Sequence, residues 1–192
     1  MATPNELPEL TFKTQQQWEE WLKHHHTQTD GVWLIIYKKN TNIPSINYAQ
    51  ALEEALCYGW IDGLKRSKDE VSFLQKFTPR RAKSIWSEIN TKHIERLTAA
   101  GKMKPAGIAQ VEAAKADGRW ENAYAAGNKA TIPEDFMTAL NKNKKAKAFF
   151  ETLNKNNLFA IYFRLQSAKK PETRAKRIAT FVDMLARHEK FH

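Results

Sequence analysis

The chain has 192 residues, 42% of them hydrophobic and 11% aromatic, which are globular values that exclude a disordered chain. That length makes one ordinary domain or two small ones and buries most apolar surface without staples. A single cysteine excludes an internal disulfide, and the longest apolar run, VWLIIY at 32–37, is too short for a membrane span. The formal charge of +10 is unevenly placed: residues 1–124 carry 17 basic against 15 acidic side chains, residues 125–192 carry 14 against 6. An acidic partner for the last third is one explanation; solubility alone is the other. The start MATPNELPEL lacks the apolar region of a signal peptide, so a cytoplasmic location without membrane insertion is expected.

In chain order, Thr14 and Gln17 form a T-x-x-Q capping box, and Trp18, Trp21, Leu22 and His25 then recur at helical spacing. "DG" at 30–31 breaks the chain before VWLIIYKK, whose β-branched and aromatic content predicts a strand buried on both faces. Asn47 caps a helix reaching about residue 58, with Leu52, Ala55 and Leu56 inward and Gly59 as its stop. WIDGLKRSKDEVSFLQKFT reads as a hairpin around SKDE. Val71, Phe73 and Phe77 alternate along its second arm, and Gly63 hints at a bulge in its first.

Beyond Thr78 the pattern turns helical, with Trp86 and Ile89 on one stripe and Asn90 capping a further helix through Ile94 and Leu97. PAGIAQVEAAKADG opens on Pro105 and closes on Gly118, the expected helical asymmetry. Periodicity lapses at about 125–131, which predicts a linker. The remainder is helical, with Pro133 and Pro171 near helix starts and NLFAIYFRLQSA apolar nearly all round. The expected fold is therefore α+β. A small antiparallel sheet with helices occupies 1–124, and an all-helical domain occupies 132–192.

Enzyme signatures are absent. There is no Walker spacing, no G-x-G-x-x-G and no G-x-S-x-G, and Glu19–Glu20 and Glu53–Glu54 are adjacent pairs that point apart on a helix. Consecutive helical residues diverge by about 100°, so His24, His25 and His26 do not close on one metal ion. No metal, no cofactor and no catalytic residue is assigned. Cys57 lacks an activating histidine and reads as a small buried hydrophobe.

Two basic clusters remain. In FTPRRAKSIW, Arg80 and Arg81 fall in the first turn of the expected 80–90 helix. Cations oppose the dipole there, so they call for a bound anion or a paired carboxylate. Asp62, in an otherwise apolar run just before Lys65 and Arg66, is the nearest carboxylate for such a pair. The alternative is a pocket between hairpin and helix in which Asp62, Arg66, Arg80, Arg81 and Trp86 converge on an anionic ligand. In QSAKKPETRAKRI, Lys169 and Lys170 precede Pro171, and Arg174 and Arg177 share a helix face. They suit a phosphate backbone, an acidic protein patch or plain solvent.

Three long blocks, EALCYGWIDGLKRSKDEVSFLQKFTPRRAKSIWSEIN, KMKPAGIAQVEAAKADGRW and LQSAKKPETRAKRI, resemble the YdeI/OmpD-associated family, also called bacteriocin-protection proteins. The likeness runs from about Val32 to His192. Its C-terminal part is similar to the OmdA-type module, and Tyr58 stands where phenylalanine is expected. The resemblance implies protection against antimicrobial peptides and, by name alone, an indirect link to a porin. It supplies no catalytic residues. The expectation is a non-enzymatic binding protein that engages an acidic partner or ligand through basic surface. The alternatives are an anionic small-molecule protein or enzyme using the hairpin pocket, and a nucleic-acid-binding stress protein.

Overall fold

A computed structural model of the chain describes residues 7–27, 30–125 and 131–191. The chain divides into two compact units, residues 1–123 and 124–192. Most of the expected linker, 126–130, lies outside the described residues.

The first unit is α+β. It runs through β1 (Glu9–Leu10), α1 (Gln15–His25), β2 (Val32–Tyr37), a 3-10 turn (Lys39–Thr41), α2 (Tyr48–Cys57), β3 (Trp60–Ser67), β4 (Ser72–Pro79), α3 (Glu88–Ala99) and α4 (Pro105–Ala116). The strands pair in the order β1-β2-β4-β3. All contacts are antiparallel except β1 against β2, a two-residue parallel pairing absent from the sequence pattern.

Capping explains the helix starts. Thr14 Oγ1 accepts the Gln17 N–H at 3.3 Å, while Gln17 Oε1 reaches one residue past the cap to the Lys13 N–H at 2.9 Å. Asn47 and Gln50 exchange both capping-box bonds at 3.0 Å. The hairpin turn is closed by Asp69 Oδ1, which accepts from the amides of Val71 and Ser72 and from the Ser72 hydroxyl. These bonds, the hydroxyl's first, hold the Asp69 carboxyl below its usual range. The bulge falls between Asp62 and Lys65, where the buried Gln75 amide donates to the carbonyls of Gly63 and Leu64.

Val32, Leu34, Ile36 and Phe77 meet Trp18 and Leu22 of α1 and Ala51, Ala55 and Leu56 of α2 in the core. Two indole donors inside it are satisfied by backbone, Trp18 Nε1 by the Ala51 carbonyl at 3.0 Å and Trp60 Nε1 by that of His26 at 3.1 Å, whereas the buried Trp86 Nε1 has no partner among the described residues. Trp33 alternates with these core residues along β2. It lies beneath the Arg66 guanidinium at 4.7 Å from its ring centroid, with Lys76 Nζ at 5.9 Å. Val71, expected to alternate inward, is exposed because it sits in the hairpin turn.

The expected 80–90 helix does not form. Residues 80–86 are turn and loop, and α3 starts at Glu88 with Ser87 as its cap, so Asn90 is already inside and Ile89 is exposed. The physical reason is tertiary. The Arg80 N–H is bonded to the Gly59 carbonyl at 3.0 Å, continuing the β4 edge, and both Arg80 and Trp86 are buried by stacking on each other.

The second unit is helical: α5 (Glu134–Asn141), α6 (Lys144–Phe150), α7 (Lys155–Gln166) and α8 (Pro171–Ala186). Phe136, Leu140, Ala146, Ile161, Leu165, Phe181 and Leu185 form its core. Asn157 is 1% exposed and ties the chain's end down, its Oδ1 accepting the Phe191 N–H at 2.8 Å.

Candidate functional site

A charged cleft lies at one end of the sheet, where β4 runs out into the 80–86 loop. It has a volume of about 550 Å³. Among the described residues it is lined by Lys76, Thr78 and Pro79 of β4, Arg80 and Arg81 beyond it, and Leu7 and Asp30.

Each member is placed by packing elsewhere. Cross-strand pairing with Trp33 fixes Lys76. Arg80 is 7% exposed, its guanidinium 3.5 Å above the Trp86 ring and its Nη1 donating to the Ile85 carbonyl at 3.4 Å. Trp86 in turn packs on Trp120 at 5.1 Å. The backbone of Arg81 is held by a closed turn: its N–H donates to Ser84 Oγ at 3.1 Å, and the Ser84 N–H returns to its carbonyl at 2.9 Å. Its side chain is exposed and, among the described residues, has no ion-pair partner.

Asp30 reaches the cleft because Gly31 lacks a Cβ. Gly31 has φ +141°, and a Cβ there would stand 2.6 Å from the Phe77 carbonyl oxygen and 2.7 Å from Thr78 Cγ2. The "DG" that reads as a strand boundary therefore lays the chain flat against β4.

Not every anticipated residue belongs to this cleft. Asp62 accepts a hydrogen bond from Tyr48 Oη at 2.8 Å; among the described residues no ion pair joins it to Arg80 or Arg81. Trp86 lies under Arg80 as part of the core, and Arg66 covers Trp33 on the sheet. Lys76 and Asp30 were not anticipated. Nothing local marks them, since their convergence depends on strand register and on the close approach at Gly31.

The second basic cluster is taken up by the fold of its own unit. Arg174 makes a bidentate pair with Asp135, and its Nη1 donates to the Leu165 carbonyl at 2.8 Å. Arg177 Nη1 donates to the Arg164 carbonyl and, at 2.8 Å, to Ser167 Oγ. Both guanidinia thus add donors to carbonyls at the C-terminal end of α7, where Leu165 O also accepts the Ala168 N–H at 3.1 Å and Arg164 O the Ser167 hydroxyl at 2.9 Å. Lys169 and Lys170 are exposed and outside any ion pair among the described residues.

The three histidines face different partners: Glu20 Oε1 for His24, the Trp21 carbonyl for His25 and the Leu22 carbonyl for His26. Among the described residues no group of three or more metal-ligating side chains gathers, and no helix is long and apolar enough to cross a membrane. Cys57 is fully buried, and burial pushes its thiol pKa up to about 12.

A smaller cleft of about 360 Å³ lies between His26, Tyr58 and the start of α4. Its two lysines are matched by carboxylates, Lys104 with Glu19 at 2.9 Å and Lys23 with Glu20 at 3.5 Å. In the larger cleft neither Lys76 nor Arg81 is matched in this way among the described residues.

Comparison with known families places two matches on the chain. Residues 10–110 match a domain of unknown function, DUF8412, and residues 129–188 match OmdA, described as bacteriocin-protection, YdeI or OmpD-associated. No curated protein and no solved structure matches the chain.

Proposed function

Because the chain belongs to the DUF8412 family and carries behind that domain the OmdA module of bacteriocin-protection, YdeI or OmpD-associated proteins, we propose that it is a binding protein of the protection type. In this reading it is non-enzymatic and engages an acidic partner or anionic ligand through basic surface. The observation that carries it is the cleft in the first unit, where Lys76 and Arg81 stand, among the described residues, without ion-pair partners beside the stacked Arg80. Unpaired cations lining a concavity raise the local anion concentration in a way that the same charges spread on a convex surface do not. Arg174 and Arg177 give the reading no support, since their guanidinia already cap α7.

The test is thermal shift with pyrophosphate at low ionic strength. Wild type should be stabilised, and the double reversal K76E/R81E should lose that shift while keeping its own fold by circular dichroism. A wild-type protein unmoved by the anion, or a reversed variant that still responds, removes the reading.

A further inference from the structure

We infer that the smaller cleft, between His26, Tyr58 and the start of α4, is a second binding site and takes a small monocarboxylate with an apolar body. The inference goes beyond the larger cleft and does not depend on it.

Two donors without partners line this cleft. The first is Tyr58, which is 6% exposed and whose hydroxyl makes no hydrogen bond among the described residues. A buried tyrosine ordinarily satisfies that group. The ring lies 5.3 Å from that of His26 and 5.9 Å from Lys104 Nζ, and all three residues line the cleft. The hydroxyl is not among the enclosed orphan atoms of the core, so what remains open of Tyr58 opens here. Burial raises its pKa above the ordinary 10, which keeps it a donor at neutral pH.

The second donor is the N-terminal end of α4. Its cap residue Lys104 makes no side-chain capping bond, and Pro105 at the first position brings no N–H. Backbone bonding resumes at Ile108, whose N–H reaches the Lys104 carbonyl at 3.0 Å. The Ala106 N–H has no acceptor among the described residues, and Ala106 lines the cleft with Tyr58.

Charge sets the valence of the ligand. Lys104 is bonded to Glu19 at 2.9 Å and Lys23 to Glu20 at 3.5 Å, so the lysines at the rim bring carboxylates with them. What is left is the helix start, equivalent to roughly half a positive charge. A monoanion suits it, whereas a phosphate dianion would meet Glu19 and Glu20 with no spare cation. A carboxylate also offers two acceptor oxygens to the two donors. The remaining wall is apolar, formed by the Tyr58 ring, Pro105, Ala106 and the His26 ring, whose Nδ1 is bonded to the Leu22 carbonyl at 2.9 Å. The volume of about 360 Å³ falls within the range of small-molecule sites.

The test follows proton–nitrogen NMR spectra of the full chain during titration with benzoate, benzyl alcohol, acetate and inorganic phosphate. Benzoate should bind tightest of the four and move the Ala106 amide signal. Tyr58→Phe keeps the ring and removes only the hydroxyl. It should retain the wild-type Tm and weaken benzoate about tenfold, as loss of one hydrogen bond to a charged acceptor warrants. Ala106→Glu puts a carboxylate in the first turn of α4, where the helix favours one, and should abolish benzoate binding while keeping the fold by circular dichroism.

Absence of benzoate binding, shifts confined to residues away from the start of α4, or undiminished affinity in either variant overturns the inference. Benzyl alcohol binding as tightly as benzoate overturns it in favour of a neutral apolar ligand. Acetate binding as tightly removes the apolar body, and tighter phosphate replaces the monocarboxylate with a multivalent anion. The pyrophosphate response of the larger cleft is read separately, so either site can fail without the other.

Discussion

Gly107 sits on the third position of α4, where the helix start is pressed against the end of α2. A Cβ built on it would stand 2.2 Å from the Cys57 carbonyl oxygen, 2.8 Å from its carbon and 2.9 Å from the Leu56 oxygen. The shortest of these is more than ~1 Å inside the optimum for non-bonded heavy atoms. The contacts are with backbone, so no side chain can swing aside. Retreat of α4 is opposed by the Lys104 N–H, bonded to the same Cys57 carbonyl at 3.1 Å. Gly59 closes the interlock from the other side, since a Cβ there would meet the Ala106 oxygen at 2.9 Å.

Gly107→Ala thus sets two effects against each other. Replacing glycine within a helix gains about 0.5–1 kcal/mol in propensity. Overpacking against fixed backbone costs about 1–3 kcal/mol, occasionally more. With a 2.2 Å contact the upper part of that range applies, so the net loss should be about 2 kcal/mol, or roughly 5–10 °C in Tm. All six tryptophans lie in the first unit, so urea unfolding followed by tryptophan fluorescence reports on that unit alone. Gly101→Ala is the control: at φ +65° with nothing within 4 Å of the added carbon, it pays only the left-handed penalty of about 1 kcal/mol. A Gly107→Ala protein as stable as wild type, or more stable, would refute the close-approach argument.

Glu54 is 7% exposed and accepts from Gln15 Nε2 at 2.6 Å, yet burial raises its carboxyl pKa above the ordinary 4.5. The unfolded chain then loses its proton first as pH rises, so stability falls between pH 4.5 and the folded pKa. Glu54→Gln should raise Tm at about pH 8 and lose that advantage at about pH 4; a pH-independent difference counts against it. Arg174 holds the Asp135 carboxyl below its ordinary 3.8 through their hydrogen bonds, so this pair stabilises above pH 3.8 and fades as pH falls through the folded value. Arg174→Lys cannot keep the bidentate pair together with the Leu165 carbonyl, and should cost about 1–3 kcal/mol, seen as faster amide exchange in α7 and α8; unchanged exchange contradicts the capping role. The Cys57 thiol should resist a colorimetric thiol reagent in the native protein and react fully in urea; rapid native labelling would contradict its burial.

Much of the fold is legible because its signals are local. Thr14 and Asn47 cap helices where their side chains announce it, and the 60–77 hairpin shows its turn and its bulge glycine. What fails is decided at long range. β1 is two residues long and exists only through its pairing with β2. RRAKSIW has helical composition, but the Arg80–Gly59 bond and the Arg80–Trp86 stack hold it as a loop. Arg174 and Arg177 look like a binding face because their partners at the end of α7 are backbone carbonyls, which a side-chain pattern does not display.

The same distinction bears on what membership of the family carries. The blocks that resemble it contain Gly59, Gly107, Arg174 and Arg177, all of which act on packing or helix ends. They also contain Lys76, Thr78, Arg80 and Arg81, which line the cleft. Asp30 lies before the first block and is held by a separate turn at Gly31. A family defined by such scaffold residues does not by that fact define a ligand.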